Sequence, residues 1–227
     1  EFLKIKELDA IVICVPTPLN KEKEPDLSYI INTINNIKPY LVKGQLLSLE
    51  STTYPGTTND ILKPLIESMN FNIGQDFFLL YSPEREDPCN KSYKSYEIPK
   101  IIGGITNSCA DIGEKFYGLI NEKVIKVSST KSAEMTKLLE NIYRAVNIGL
   151  INELKILTDK LDLDIYEIIN AASTKPFGFK AFYPGPGVGG HCIPIDPIYL
   201  SWKAKKEFNL PIKFIELAEK VNSEMPK

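Results

Sequence analysis

Apolar and polar positions along the chain change period once, near residue 128. Before that point short apolar runs alternate with helical patterns. Asp9 to Val15 is a continuous apolar run after its first residue, the pattern of a strand buried on both faces of a parallel sheet. Pro16 and Pro18 end it. Asp26 then caps a helical pattern reaching about Lys43, with Ile30, Ile34 and Ile37 on one face. Strands are expected at Gln45–Leu49, Phe77–Tyr81, Lys100–Gly103 and Val124–Val127, and helices from Pro55-Gly56 to about Met69 and from Ser108 to Leu119. Strands alternating with helices predict an α/β, doubly wound domain.

From Ser129 a helical pattern runs unbroken to Lys160, roughly 45 Å at 1.5 Å per residue. Shorter helices are expected near 164–172, 197–207 and 212–225. The expected organisation is therefore an α/β part over 1–128 and an all-helical part over 129–227, joined by a long helix that has the length of a shared dimer core.

The α/β part holds only the second half of a nucleotide-binding fold. Such a fold opens with a strand, a GxGxxG turn and a helix, and nothing before residue 9 supplies them. The one literal match, Gly185 to Gly190, has no strand before it and is broken by Pro186, so it is not the fingerprint. It reads as a loop whose backbone amides can approach an anion. The chain also opens without Met or a signal peptide, at Glu1-Phe2-Leu3-Lys4, which suggests a fragment of a longer protein.

Composition narrows the function classes. A net charge of −2 gives no reason to expect nucleic acid or a membrane surface as partner. No stretch approaches the roughly 18 apolar residues of a membrane helix. Cysteines at 14, 89, 109 and 192 never take CxxC spacing, so no metal site is expected, and reduced thiols in a cytoplasm are the reading. Cys14, inside an apolar run, reads as a small core residue. Two arginines, Arg85 and Arg144, stand against 25 lysines, so each arginine poses a question of function.

Four segments could carry chemistry. Gly189-Gly190-His191-Cys192-Ile193-Pro194-Ile195-Asp196 puts a thiol, the chain's one histidine and an acid beside a glycine loop. Cys192 is either a nucleophile facing a ligand or a buried cysteine in a turn. Tyr81-Ser82-Pro83-Glu84-Arg85-Glu86-Asp87-Pro88 follows a strand, where doubly wound folds bind ligands; it offers a general base, or only a charged loop. Ser51-Thr52-Thr53-Tyr54-Pro55-Gly56 offers hydroxyls for phosphate, ribose or water, or a helix cap. Lys137 and Asn141, four apart, share one helix face that could equally be solvated.

Taken in order, Val15-Pro16-Thr17-Pro18, Ser51 to Pro55, Ser82-Pro83-Glu84, Lys137 to Asn141 and Gly189 to Asp196 resemble the UDP-glucose/GDP-mannose dehydrogenase family. Ser82 to Pro88 and Thr174 to Phe179 are most similar to its UDP-N-acetylglucosamine 6-dehydrogenases. The resemblance implies NAD-dependent, four-electron oxidation of a UDP-sugar C6 hydroxyl to the uronic acid, for polysaccharide precursor synthesis, by a homodimer or higher homo-oligomer. Cys192 would form a thiohemiacetal and then a thioester. Glu84 would activate the hydrolytic water, Lys137 and Asn141 would stabilise an oxyanion, Thr53 would hold a water, and Asp196 would orient water or tune the thiol. Val15, Thr17, Thr52 and Thr53 would line the NAD site. Tyr183, Gly185, Gly187 and Gly189 would cradle the sugar nucleotide, with Glu84, Arg85, Lys137 and Asn141 also at the substrate.

Three positions depart from the family pattern. Pro88 replaces a second glutamate, Ile195 replaces a lysine, and no arginine follows Arg144 to reach across a dimer, leaving Lys175 or Lys180 as substitutes. Two other functions compete with the enzyme. One is a non-catalytic dimerisation or binding module; the other is a two-electron 3-hydroxyacid-type dehydrogenase, which has no need of a thiol.

Overall fold

The computed structural model describes residues 2–86, 92–190 and 193–226. It divides into two compact units, Glu1–Leu138 and Leu139–Lys227.

The first unit is a five-stranded sheet in chain order: β1 (Ala10–Ile13), β2 (Leu46–Leu49), β3 (Phe78–Tyr81), β4 (Lys100–Gly104) and β5 (Val124–Lys126). The first three strands are parallel, with Ala10 opposite Leu46 and Leu46 opposite Phe78. Helix α1 (Ser28–Ile37) joins β1 to β2, and a wide π-type turn over Thr57–Leu62 running into α2 (Lys63–Glu67) joins β2 to β3. This is the alternation the pattern predicts. Leu47, Leu49, Leu79, Leu80 and Ile102 are fully buried. Helix α3 (Asn107–Tyr117) packs Tyr117 against Leu46, Leu80 and Ile102.

Four details differ from the sequence pattern. Strand β4 runs antiparallel to β3, pairing Leu80 with Gly104 and Tyr81 with Gly103. Among the described residues, the link between them holds only a 3-10 turn at Ser95–Glu97, too little for the helical crossover that parallel pairing needs. Among the described residues strand β1 pairs with β2 alone, and Val12 is 40% exposed rather than covered on both faces. Cys14 lies past the strand's end and is exposed, not a core residue. Helix α1 stops at Ile37 instead of continuing to Lys43, because Pro39 in the following turn lacks an N–H and crowds the preceding turn. Its start is an Asp26 side chain accepting the Ser28 N–H at 2.9 Å.

Helix α4 spans Thr130–Lys160, within one residue of the expected start. Gly103 lets β4 pass the beginning of this helix. A Cβ there would lie 2.2 Å from the Ser129 carbonyl oxygen, and a backbone atom cannot swing aside.

The second unit is all-helical: the rest of α4, α5 (Ile165–Ala172), α6 (Asp196–Phe208) and α7 (Lys213–Glu224). Ile151 of α4 packs on Ile165 and Ile169 of α5, with Ala181 and Phe182 of the following loop against them. Helix α7 crosses α4 closely at Gly149, where a Cβ would stand 3.3 Å from the Ala218 Cα.

Candidate active site

In the first unit the candidate residues lie at the carboxyl ends of the parallel strands, where the backbone leaves the sheet and side chains become accessible. The loops after β1 and β2 are tied together by one hydroxyl. Ser51 Oγ accepts the Val15 N–H at 2.8 Å and donates to the Val15 carbonyl at 2.8 Å. Thr17 and Thr52 are half-buried beside this lock. Thr53 is 0% exposed, and its hydroxyl meets that of Thr57 at 2.5 Å.

The loop after β3 carries Glu84. One carboxylate oxygen accepts the backbone N–H groups of Arg85 at 2.7 Å and Glu86 at 2.8 Å. The other pairs with Lys100 Nζ at 3.0 Å. Lys100 is buried and also pairs with Glu50 at 3.1 Å, and Glu50 in turn accepts the Tyr117 hydroxyl at 2.5 Å. Burial alone would raise the Glu84 pKa, but the Lys100 charge and hydrogen bond, with the two amides, outweigh it and hold it below the ordinary carboxylate value. Burial and the Glu50 charge push the Tyr117 hydroxyl the other way, upward.

Lys137 reaches this loop from α4 and donates to the Glu84 carbonyl at 2.6 Å. It therefore fixes the backbone rather than the carboxylate. The Arg85 guanidinium donates to the Pro99 carbonyl at 2.8 Å. An open cavity of about 470 Å³ is lined by Glu50, Glu84, Arg85, Tyr96, Lys100 and Tyr117.

Lys100, Glu50 and Glu134 were not singled out by sequence reasoning. Lys100 opens an apolar strand and Glu50 closes one, so each is a lone charge at a strand end. Glu134 is a charge at a position that the helix turns inward. Those were the available signals.

In the second unit Asn141 Nδ2 donates to the carboxylate of Asp196, which is 2% exposed at the start of α6. The glycine loop is anchored by side chains. The Gly185 N–H donates to Asn152 Oδ1 at 2.9 Å, Asn152 Nδ2 donates to the buried Asn222 at 2.9 Å, and Asn222 donates to the Ala145 carbonyl at 3.1 Å. Gly187 and Gly189 have φ of 105° and 64°, conformations that disfavour any side chain. Among the described residues no strand leads into the loop, whose preceding element is α5, so its glycines do not form a dinucleotide-binding turn. The Tyr183 ring stacks on Tyr166 with centroids 6.3 Å apart.

Cys192 and His191 lie outside the described residues, as do Asp87, Pro88 and Cys89. Among the described residues, no cluster of three His, Cys, Asp or Glu side chains could hold a metal, and no helix is long and apolar enough to cross a membrane.

Comparison with known proteins covers nearly the whole chain. Residues 2–121 match the NAD binding domain of the UDP-glucose/GDP-mannose dehydrogenase family, and residues 131–224 match that family's central domain. The UDP-N-acetyl-D-glucosamine 6-dehydrogenase of Salmonella typhi is 40% identical, over 90% of this chain and 48% of its own. A UDP-N-acetyl-D-mannosamine dehydrogenase of Methanococcus aeolicus is 36% identical, over 98% and 49%. The solved structure of a UDP-D-ManNAc dehydrogenase from Pyrococcus horikoshii superposes with a TM-score of 0.91 at 34% identity, over 100% of this chain and 53% of that one. The chain thus spans about half the length of the curated relatives it matches.

Proposed function

The chain belongs to the UDP-glucose/GDP-mannose dehydrogenase family, its α/β unit being the C-terminal half of a Rossmann-like domain, and we propose that it carries the catalytic residues of an NAD-dependent nucleotide-sugar 6-dehydrogenase acting on a UDP-N-acetylhexosamine. The product would be the uronic acid, a precursor for polysaccharide. UDP-N-acetylglucosamine is our first candidate, on the wording of Ser82 to Pro88 and Thr174 to Phe179. The M. aeolicus and P. horikoshii relatives, named for the mannosamine sugar, make its C2 epimer the second. The functional division we propose is the cofactor part over 1–128 and the helical part over 129–227.

The observation that carries the reading is the pairing of motifs far apart in sequence. Lys137 is bound to Glu84, and Asn141 to Asp196. Residues of a decorative surface would have no reason to meet in this way.

NAD is the cofactor, and the loops after β1 and β2 fit it. Their half-buried threonine hydroxyls, Thr17 and Thr52, suit the ribose and amide groups of a dinucleotide, and Val15 is held beside them by Ser51. When bound, the cofactor accepts the electrons of each oxidation. The rest falls to the chain. Lys137 has three ammonium protons and the Glu84 carbonyl takes one, leaving two for an alkoxide or oxyanion at C6. Asn141 is oriented by Asp196 for the same task. Thr53 sits behind the site with its hydroxyl shared with Thr57, and would position water from there. Cys192 would attack the aldehyde carbon as thiolate, and its acyl product is labile enough for water to hydrolyse. Glu84, ionised at neutral pH, would take the proton of that water. Tyr183, Gly185, Gly187 and Gly189, with Arg85, would hold the nucleotide sugar. A thiol kept for catalysis requires reducing surroundings, and a cytoplasm meets that need.

A panel of nucleotide sugars offered to the full-length protein tests this, with NADH counted per product. Two NADH per UDP-N-acetylhexosamine is the expected result. One would indicate a two-electron dehydrogenase, and binding without turnover would leave a non-catalytic module.

We also propose that α4 forms a subunit interface. Leu139, Tyr143, Leu150, Leu154 and Leu157 are all exposed on it, with Leu161 exposed just past its end, at spacings of three, four and seven that trace one seam. A second copy presenting the same row would cover it. Sedimentation of this chain should give a dimer or larger, and a monodisperse monomer at micromolar concentration would count against the interface.

A further inference from the structure

Glu134 lies near the start of α4 and is 0% exposed. A buried carboxylate needs partners, and this one collects them all from the segment just beyond Thr53. One oxygen accepts the Gly56 N–H at 2.6 Å. The other accepts the Thr58 N–H at 2.9 Å and the Thr58 hydroxyl at 2.8 Å. Thr57, between these two anchors, bonds the Thr53 hydroxyl. The backbone is shaped for this. Gly56 has φ of 107°, and a Cβ there would meet the Asp60 carboxylate at 2.5 Å. The π-type turn that follows is a rare conformation that needs outside support.

Three residues further along α4, on the same face, Lys137 holds the Glu84 carbonyl. One turn of one helix therefore grips two loops: the loop after β2 through Glu134 and the loop after β3 through Lys137. We infer that Glu134 is a positioning residue, which sets the place of Thr53 relative to Lys137 and Glu84 without itself touching substrate. This rests on the reading of Thr53, Lys137 and Glu84 as active-site residues.

The protonation state supports the same view. Desolvation raises the Glu134 pKa to about 7, against the pull of the Thr58 and Gly56 hydrogen bonds and with a further push from Asp60. The charged groups beside it are Asp60 on the π-type turn and Lys131 on α4, whose own atoms stand 3.7 Å apart. The ionised carboxylate accepts all three donors. The neutral acid carries a proton of its own and faces two N–H groups with one fewer acceptor site. The grip should loosen as pH falls through about 7. Folding stability moves the opposite way. With a pKa raised above the unfolded value, the Glu134 contribution is full below the ordinary glutamate range and is lost as pH rises through about 7.

The test uses Glu134→Gln, Thr58→Val and Thr58→Ser in active full-length protein, with amide hydrogen exchange of residues 54–62 as an independent readout. Glu134→Gln presents an NH₂ to backbone donors. It should lower kcat by about ten- to a hundredfold, the cost of misplacing a reacting group by about 1 Å, with KM for the sugar changed by less than about threefold. It should also erase an inflection in kcat near pH 7 and speed exchange at Gly56 and Thr58. Thr58→Val should fall between, and Thr58→Ser should restore the wild-type values. If the glutamine and valine variants lose thermal stability but keep kcat and the pH profile, the positioning role is overturned. Unchanged amide exchange would overturn the grip itself. A wild-type protein that oxidises no nucleotide sugar would overturn the functional reading and the positioning role with it, while the exchange data would still decide the grip.

Discussion

Cys192→Ser is expected to reduce acid formation by on the order of a thousandfold or more, the scale on which loss of a covalent nucleophile is felt. The argument is chemical. The proposed four-electron reaction must hold its aldehyde while a second oxidation takes place, and a covalent thiohemiacetal would do so. At neutral pH a serine hydroxyl is almost wholly protonated, whereas a thiol has appreciable thiolate. An alkyl ester also hydrolyses more slowly than a thioester, so serine would fail at both ends of the intermediate's life. Any first oxidation that survives should stop at aldehyde or a bound adduct, giving at most one NADH per sugar. The competing two-electron reading makes the opposite forecast, since there the thiol has no task. Product analysis by mass spectrometry, with NADH counted, distinguishes them. Full turnover to the acid by the serine variant would remove Cys192 from the mechanism.

The element order was readable because it depends on local pattern. Ile30, Ile34 and Ile37 lie on one buried helix face, and the pattern from Ser129 to Lys160 yields α4 with one residue in error. What escaped depends on partners distant in the chain. Lys100 is an unremarkable lysine until β4 turns antiparallel and brings it between Glu50 and Glu84. Glu134 reads as one more charge on a helix, because its three donors come from residues almost eighty positions earlier. Cys14 escapes for a different reason: an apolar neighbourhood in sequence does not say where a strand stops, and β1 ends at Ile13. Glu84, Lys137, Asn141 and Asp196 are candidates through the family resemblance, and only the fold reveals that Lys137 binds the Glu84 backbone while the Glu84 carboxylate meets Lys100 and two amides.

That arrangement sharpens what Glu84→Gln should do. Thioester hydrolysis needs a group that takes a proton from water, and the glutamine side chain keeps the shape without that capacity. The variant should still form thioester and then accumulate it, with steady-state turnover lowered by about a hundredfold or more, within the usual range for loss of a general base. Intact-protein mass spectrometry would find the adduct on the peptide bearing Cys192, and rapid quench with excess NAD⁺ would record a burst of NADH and then a stall. The Lys100 pairing adds a pH criterion. Because Lys100 and the Arg85 and Glu86 amides hold the Glu84 pKa down, the carboxylate stays ionised below the ordinary glutamate range, and the acid limb of the hydrolysis step should fall there too. Lys100→Met keeps the carboxylate but removes its counter-charge, so that limb should move to higher pH with no trapped adduct. The opposing view is that Glu84 only braces its loop, since the same carboxylate already accepts two backbone N–H groups. A brace has no preference for one chemical step. Its loss would slow both oxidations and the hydrolysis alike, lower thermal stability, and leave Cys192 unmodified at every time point; that pattern would end the assignment of Glu84 as the base.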